Sequence, residues 1–487
     1  MTDRSGYHGG AIIKIFLSTP PGRTTERWPP LGLLYIAACI RKHRSDELLV
    51  KDAFCHNLSP QQLVDEIVRE KPDVVGLNCS THTFIDAAAV LEQVSARLPD
   101  AVIVMGGYHA TLATEQILRE CPFIDYIVSG EGEFSFVTLL DRIDQGLKPD
   151  GILGISYIDG GALVSTGPEL IADLDALPFP DRSLLGDFEY GYVFQGIPLT
   201  FGRFSTICTS RGCAYDCTYC SCATFSKRRW RYRSAGNVVD EIEQLYRQGY
   251  RSLVLIDDNF TQRPDRVEKI CDLIIERGIR MKFYCEGRVN HSSVELLSKM
   301  KAAGFDVIYF GAESACEHVL DYYRKRASPA QTRQAVANAK QCKMIVITSF
   351  ILGALPESPE DMRRTIDFIR ALRPHGVQLN TLDVLVGTPI WQGMEKEGII
   401  RPDDWKTNHR IYEYGRSSLG KEELEAMSAE GYNAFLSAWK TPSGIFELAM
   451  LVMANGTARG IILHNVFNVK ALARLVRGIE TPNNIPV

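Results

Sequence analysis

At 487 residues the chain is too long for one ordinary core and points to two or three domains, while its 45% apolar and 23% charged residues suit a soluble globular protein. A net charge of −5 argues against nucleic acid as the main partner, and the thirteen cysteines are too thinly spread for a secreted disulfide framework. No secretory leader and no membrane-spanning apolar stretch is read, so a reducing, cytoplasmic setting is expected.

Over residues 1–150 short apolar runs alternate with amphipathic stretches. Strands are expected at 11–17, 48–53, 74–77, 102–105 and 124–128, and helices at 31–41, 60–70, 87–98, 114–120 and 134–145. This alternation predicts an α/β domain with a doubly wound, Rossmann-like parallel sheet whose ligand sits at the carboxyl ends of the strands. The polar and glycine-rich stretches fall at those ends: Thr19–Gly22, Cys79–Thr83, Gly106–His109 and Ser129–Glu133.

Residues 151–200 contain the hairpin-like ISYIDGGALVSTG and the proline-bearing LPFPDRSLL, and read as a linker. From 201 to 395 the alternation repeats six times, with strands expected at 205–208, 253–257, 282–286, 307–310, 345–352 and 377–385. Six βα repeats predict a partial (β/α)6 barrel with its chemistry at the strand C-termini. Residues 396–487 read as a mainly helical segment. Its apolar runs 445–454 and 460–463 are too short to span a bilayer and are expected to pack as a cap on the barrel.

Cys213, Cys217 and Cys220 directly follow the first barrel strand. Three thiolates spaced four and three residues apart can hold three corners of a [4Fe–4S] cluster, which leaves the fourth iron open to a small molecule. Structural zinc is the alternative, and it would want a fourth ligand such as Cys208 or Cys222.

This spacing, opening a six-fold βα series, resembles the radical S-adenosylmethionine (SAM) superfamily over residues 200–390. The resemblance implies that Tyr219 packs near the adenine of SAM and that Glu313 contacts its ribose. It implies that Ser349, Gly353 and the turn Val386-Gly387-Thr388 line the SAM cleft, and that Asp257, Asp258 and Asn259 face the substrate.

The segments Pro29–Tyr35, Gly106–Thr111 and Gly130–Glu133 resemble the cobalamin-binding domain that precedes many such barrels. The chain is identified as similar to the cobalamin-dependent radical SAM methyltransferases of class B type. Cobalamin contacts are then implied for Pro30, Leu31, Thr81, His82, Thr83, Gly106, Gly107, Tyr108, His109, Gly130, Glu131 and Glu133. The Asp-x-His-x-x-Gly motif that supplies a cobalt ligand elsewhere is absent. His82 is either a group facing the lower side of the corrin or a loop histidine bonded to backbone. The charge run Lys227–Arg233 reads as structural and cofactor-side contacts, or as a surface for an anionic substrate or partner.

The implied reaction uses one electron from a flavodoxin- or ferredoxin-type reductant to cleave SAM. The resulting 5′-deoxyadenosyl radical takes hydrogen from an unactivated carbon, which then receives methyl from methylcobalamin, two SAM being consumed per product. A protein or peptide residue, such as a glutamine of methyl-coenzyme M reductase, is the expected substrate, because the basic run and the terminal helices offer surface to a partner. The alternative is a cyclase or ring-rearranging enzyme acting on a lipid, tetrapyrrole or antibiotic. A monomer is expected.

Overall fold

The computed structural model describes residues 12–22, 27–401, 403–407 and 409–467, so the first eleven residues and 468–487 of the expected helical segment lie outside the described residues. The chain divides into two compact units at Tyr190/Gly191.

The first unit runs β1 (Lys14–Ser18), α1 (Leu31–His43), β2 (Glu47–Lys51), α2 (Pro60–Glu70), β3 (Val74–Asn78), α3 (Phe84–Arg97), β4 (Val102–Gly106), α4 (Tyr108–Leu112), α5 (Thr114–Glu120), β5 (Tyr126–Val128), α6 (Glu133–Asp144), β6 (Ile155–Asp159) and β7 (Ala162–Ser165). Its sheet has the order β2-β1-β3-β4-β5-β6-β7. The first five strands are parallel, with β1 between β2 and β3. Strands β1, β3 and β4 are buried nearly throughout, as strands covered by helices on both faces require. Helix α2 starts where its sequence says it should: Ser59 and Gln62 form a capping box, and Pro60 takes the first turn, where its missing N–H costs nothing.

Two features differ from the sequence reading. The hairpin at 155–165, expected in a linker, pairs antiparallel with β5 and extends the sheet, because β5 would otherwise leave an open edge. Residues 108–112, expected as a turn, form the short helix α4.

The second unit opens with the ribbon β8 (Val193–Phe194) and β9 (Ile197–Pro198), then β10 (Phe204–Ile207), β11 (Ser210–Arg211), α7 (Ser221–Phe225), β12 (Arg231–Tyr232), α8 (Ala235–Arg247), β13 (Ser252–Leu255), α9 (Pro264–Glu276), β14 (Lys282–Gly287), α10 (Val294–Ala303) and β15 (Phe305–Glu313). It continues with α11 (Glu317–Tyr322), α12 (Pro329–Gln341), β16 (Ile345–Leu352), α13 (Pro359–Leu372), β17 (Gly376–Thr381), α14 (Pro389–Lys396), α15 (Lys421–Trp439), α16 (Pro442–Ala454) and α17 (Gly456–Phe467). The six-stranded sheet β10-β13-β14-β15-β16-β17 is parallel throughout and follows chain order, the arrangement of a partial barrel. Its core joins Ile207, Leu255, Phe283, Phe305, Phe310 and Phe350 to the apolar faces of the surrounding helices.

The terminal helices divide between two tasks. Helix α15 covers the edge strand β17: the Leu379 N–H donates to the Tyr432 hydroxyl at 3.2 Å, and Gly431 lies so close to Leu379 that a Cβ would meet it at 2.5 Å. Helices α16 and α17 meet at the opposite end from the cysteines. Asn455 Nδ2 donates to the carbonyls of Asp306 and Lys343, and Thr457 Oγ1 and N–H both donate to the Asp306 carboxylate. Asp306 begins β15, so the two helices lie under the barrel floor and away from its mouth. The residues near the mouth are instead Ile411, Ser417 and Leu424, which pack around Gly353.

Candidate functional site

The cysteine loop leaves the sheet at the end of β10 and is shaped by protein bonds. Asp257, just after β13, is buried and accepts three hydrogen bonds: from Thr209 N–H (2.7 Å), Thr209 Oγ1 (2.5 Å) and Ser210 Oγ (2.5 Å). Asp258 accepts from Gly212 N–H at 3.1 Å, and Asn259 is buried and donates to Gln262. The far side of the loop is tied by Thr218, whose N–H and hydroxyl donate to the carbonyls of Tyr323 and Tyr322. The expectation that these residues face the substrate is therefore corrected for Asp257 and Asn259, whereas Asp258 is exposed beside the loop. Asp257 and Asn259 are turned into the protein, and Asp257 is spent on holding the loop, to which Asp258 adds one bond.

Cys217 is buried, while Cys213 and Cys220 are half-buried. Burial pushes the Cys220 thiol up to about 12 and raises that of Cys213. A cation stands beside them: the buried Arg288, just past β14, lies over the Tyr215 ring at 3.6 Å and points Nη1 at Cys217 Sγ, 3.7 Å away. The Arg288 charge works against burial at Cys213 and would offset the negative charge of thiolate ligands. Cys208 donates to the Ser210 carbonyl and burial holds it up at about 12, and burial with Asp258 beside it keeps Cys222 protonated. Among the described residues no three Cys, His, Asp or Glu side chains converge as ligands of a single ion. In a cubane each thiolate takes its own iron, so the donors need not converge, and a three-cysteine loop of this kind is compatible with a cluster.

Next to the loop the half-buried Tyr219 meets the buried pair Glu313 and Lys325, a polar cluster that the sequence only half reveals. The Tyr219 hydroxyl donates to Glu313 Oε1 at 2.9 Å, and Lys325 Nζ lies 2.6 Å from the same oxygen and 3.3 Å from the Tyr219 hydroxyl. Burial, and Glu313 after it, hold the Tyr219 hydroxyl well above its ordinary value, so it stays a donor. Glu313 sits at φ +66°, after a break in the β15–β16 register at Gly311/Glu313. A left-handed glutamate at a strand end is a strained backbone held in place by its surroundings. Gly311 makes room for the pair, since a Cβ there would stand 2.5 Å from Glu313 Oε1 and 2.7 Å from Lys325 Nζ. Lys325 was not foreseen, and neither was Arg288. The available signal was their place: each follows the C-terminal end of a barrel strand or the helix after it.

Ser349 is buried in β16, and Gly353 follows that strand at φ +92°. The N–H groups of Gly353 and Ala354 donate to Glu357 Oε2 at 2.7 and 3.2 Å, and burial pushes this carboxyl up to about 7. Thr388, at the turn after β17, caps α14 through the Trp391 N–H, and Gly387 accepts from Thr224 Oγ1 on α7. The basic run divides. Lys227, Arg228 and Arg229 are exposed beside the cluster loop, whereas Arg233 is buried against Glu241 and donates to the Cys208 carbonyl at 2.9 Å.

In the first unit the expected cobalamin residues gather at the carboxyl ends of β3, β4 and β5. Thr81, His82 and Thr83 form a half-buried 3-10 turn before α3, Tyr108 is exposed at the start of α4, and Gly130 follows β5. Pro30 precedes α1 and Leu31 is buried at its first position. Two residues differ from expectation. His109 is fully buried, with Nδ1 3.2 Å from Thr81 Oγ1 and its ring against Phe84, so it braces the turn instead of facing a ligand. Glu131 is buried and accepts from the Ile171 N–H at 2.8 Å, so its carboxylate ties down the segment after the hairpin. Glu133, also buried, starts α6.

Two of the glycines are required by the fold itself. A Cβ on Gly107, at φ +97°, would lie 2.5 Å from the Cys79 carbonyl oxygen, and one on Gly130, at φ +84°, 2.2 Å from that of Glu169. Close approach of backbone to backbone requires them, before any ligand does. The half-exposed hydroxyls of the Thr81–Thr83 turn, His82 and the exposed Tyr108 are the groups here that could meet a corrinoid.

Residues 207–369 match the Radical SAM superfamily and residues 22–140 the B12 binding domain. An uncharacterized methyltransferase of Pyrococcus horikoshii, PH0819, is 31% identical over 403 residues, covering 81% of this chain and 86% of its own length. The chain belongs to the cobalamin-dependent radical SAM enzymes. The anaerobic magnesium-protoporphyrin IX monomethyl ester cyclase of Rubrivivax gelatinosus is 30% identical over 357 residues, 71% of this enzyme and 63% of the cyclase, so the chain spans less than two thirds of that relative. The solved structure of the cobalamin-dependent S-adenosylmethionine radical enzyme OxsB, with aqua-cobalamin and S-adenosylmethionine bound, has the same fold, with a TM-score of 0.69 at 17% identity over 86% of this enzyme and 66% of that chain. A [4Fe–4S] cluster, SAM and cobalamin are the cofactors of this domain pair.

Proposed function

We propose that this enzyme transfers methyl to a carbon centre, consuming two SAM per product, with Cys213, Cys217 and Cys220 as the cluster ligands. The observation that carries the reading is the meeting of that three-cysteine loop with the Tyr219–Glu313–Lys325 cluster at one end of a barrel, in a chain that also has a B12 binding domain. When bound, the cluster and SAM supply a carbon radical and cobalamin supplies a methyl carrier.

The chain's own residues do the positioning. Asp257 fixes the loop, Arg288 balances the thiolates, and Glu313 offers a carboxylate able to accept from a pair of ribose hydroxyls. Tyr219, Ser349 and Gly353 line the same end of the barrel, and the Thr81–Thr83 turn with Tyr108 is the cobalamin-facing set.

For the substrate we keep a protein or peptide residue, such as a glutamine of methyl-coenzyme M reductase. Its support is the exposed Lys227, Arg228 and Arg229 beside the cluster loop. Helices α16 and α17 give it none, since they lie under the opposite end of the barrel. The test is an anaerobic incubation with methyl-deuterated SAM, a one-electron reductant and candidate peptides, read by mass spectrometry. Label in a peptide carbon, with two SAM consumed per label, is expected. No label in any peptide overturns the substrate reading, and one SAM consumed with no methyl in the product overturns methyl transfer in favour of cyclisation.

A further inference from the structure

Helices α16 and α17 carry apolar residues that no other described residue covers. Phe446 is 68% exposed, Met453 64%, Ile445 61% and Leu463 58%, and Leu448 and Ile462 join them. The opposite stripe of α16 holds the helix to the barrel: Gly444 and Leu451 are buried, and Glu447 turns inward to Lys340 (2.9 Å) and Arg373 (3.2 Å). The sole acid of α16 is thus withdrawn from the outer face. At the rim of that face stand cations. Lys440 precedes α16 and is exposed, and Arg459 on α17 is exposed and donates from Nη1 to the Met453 carbonyl at 2.7 Å.

The sequence continues this bias. Between residues 440 and 478 there are five Lys or Arg (440, 459, 470, 474 and 477) against one acid (447), in a chain whose net charge is −5. The two helices together pass a hydropathy test for a span, but they are bent by 107° at the junction, and that junction is bolted to Asp306 and Lys343. They are therefore built to lie on a surface and not to cross one.

We propose that this floor of the barrel seats the enzyme on an anionic lipid bilayer, the apolar face entering the acyl boundary and the cations meeting lipid phosphates. The chemistry of the face favours lipid over protein. It offers dispersed aliphatic and phenyl groups with none of the Tyr or Trp anchors that concentrate binding energy at protein interfaces. A second copy is disfavoured by charge, because two such rims would bring like charges together.

The test uses the full chain, with sucrose-loaded vesicles of phosphatidylcholine alone or mixed with phosphatidylglycerol, in a sedimentation assay. Binding to the anionic vesicles is expected to be about tenfold tighter or more than to the neutral ones, and to weaken as salt rises. Phe446→Glu with Met453→Glu is expected to lower it about tenfold or more at unchanged circular dichroism and melting temperature. Lys440→Glu with Arg459→Glu, which leaves the apolar face intact, is expected to erase the preference for anionic lipid. Three results would each overturn the proposal: no sedimentation with either vesicle, binding that survives Phe446→Glu with Met453→Glu, or a concentration-dependent dimer that the same pair abolishes. None of these depends on the cofactors or on methyl transfer.

Discussion

Lys325→Met removes the cation from the buried pair with Glu313 while keeping most of the side chain's volume. Glu313 is 4% and Lys325 5% exposed, and their atoms approach to 2.6 Å. Removing one partner of such a pair leaves a desolvated charge, which costs about 3–5 kcal/mol. At about 2–4 °C per kcal/mol for a unit of roughly this size, the melting transition of the barrel should fall by about 6–20 °C. The measurement is made on the cluster-free protein, where neither iron nor SAM contributes, by circular dichroism with a denaturant series as a check. Glu313→Gln alone should cost less, since a neutral amide can still accept from Tyr219. The double substitution should recover much of the loss, with a coupling of about 2 kcal/mol or more in the cycle. A Lys325→Met protein that melts within about 2 °C of the parent, or a double variant whose cost is the simple sum, would refute the reasoning. Either result would mean that the pair is solvated and that Lys325 has no hold on the Glu313 carboxylate.

Asp257→Asn replaces a carboxylate that takes three donors, at 2.5–2.7 Å, with an amide that has one acceptor oxygen. A loss of about 2–3 kcal/mol and less iron and sulfide per chain after reconstitution are expected. Cys217→Ala should abolish the cluster's visible absorbance and SAM cleavage under reductant while leaving the far-ultraviolet spectrum unchanged, and retained 5′-deoxyadenosine formation would sink the assignment. Glu357 is held up at about 7 by burial, so between its unfolded value near 4.5 and 7 the native state keeps a proton that the unfolded chain releases. Stability should therefore fall by roughly 3 kcal/mol as pH rises through that window, and Glu357→Gln should flatten the profile measured by denaturant titration at pH 5, 6, 7 and 8. Gly107→Ala, with its Cβ 2.5 Å from the Cys79 carbonyl oxygen and φ at +97°, should lower the melting temperature of the first unit and weaken corrinoid binding in a spectral titration.

The sequence made the two α/β series legible because buried parallel strands read as unbroken apolar runs, as in Ile345–Leu352, and because caps such as Ser59 with Gln62 mark helix starts. The cysteine loop was legible because its ligands are close in sequence. What stayed hidden depends on distant residues. Arg288 reaches Cys217 across 71 positions and Lys325 reaches Tyr219 across 106, and no local pattern records such partners. Asp257 read as a free acid at a strand end until its three donors, 47 and 48 residues earlier, were in place. His109 follows a double glycine that reads as a turn, and only the packing of α4 against Thr81 and Phe84 shows that it faces inward.

The bonds that Asp257, Asp258 and Thr218 make to the cysteine loop have a bearing on the order of assembly. A finger-like metal site, in which the ion itself organises the chain, unfolds when stripped. Here carboxylates and carbonyls already set the course of the loop, so the polypeptide can complete its folding on release from the ribosome and receive iron afterwards. A molecule stripped of its iron would then keep its fold and could be recharged, so that repair becomes a matter of delivery and not of resynthesis.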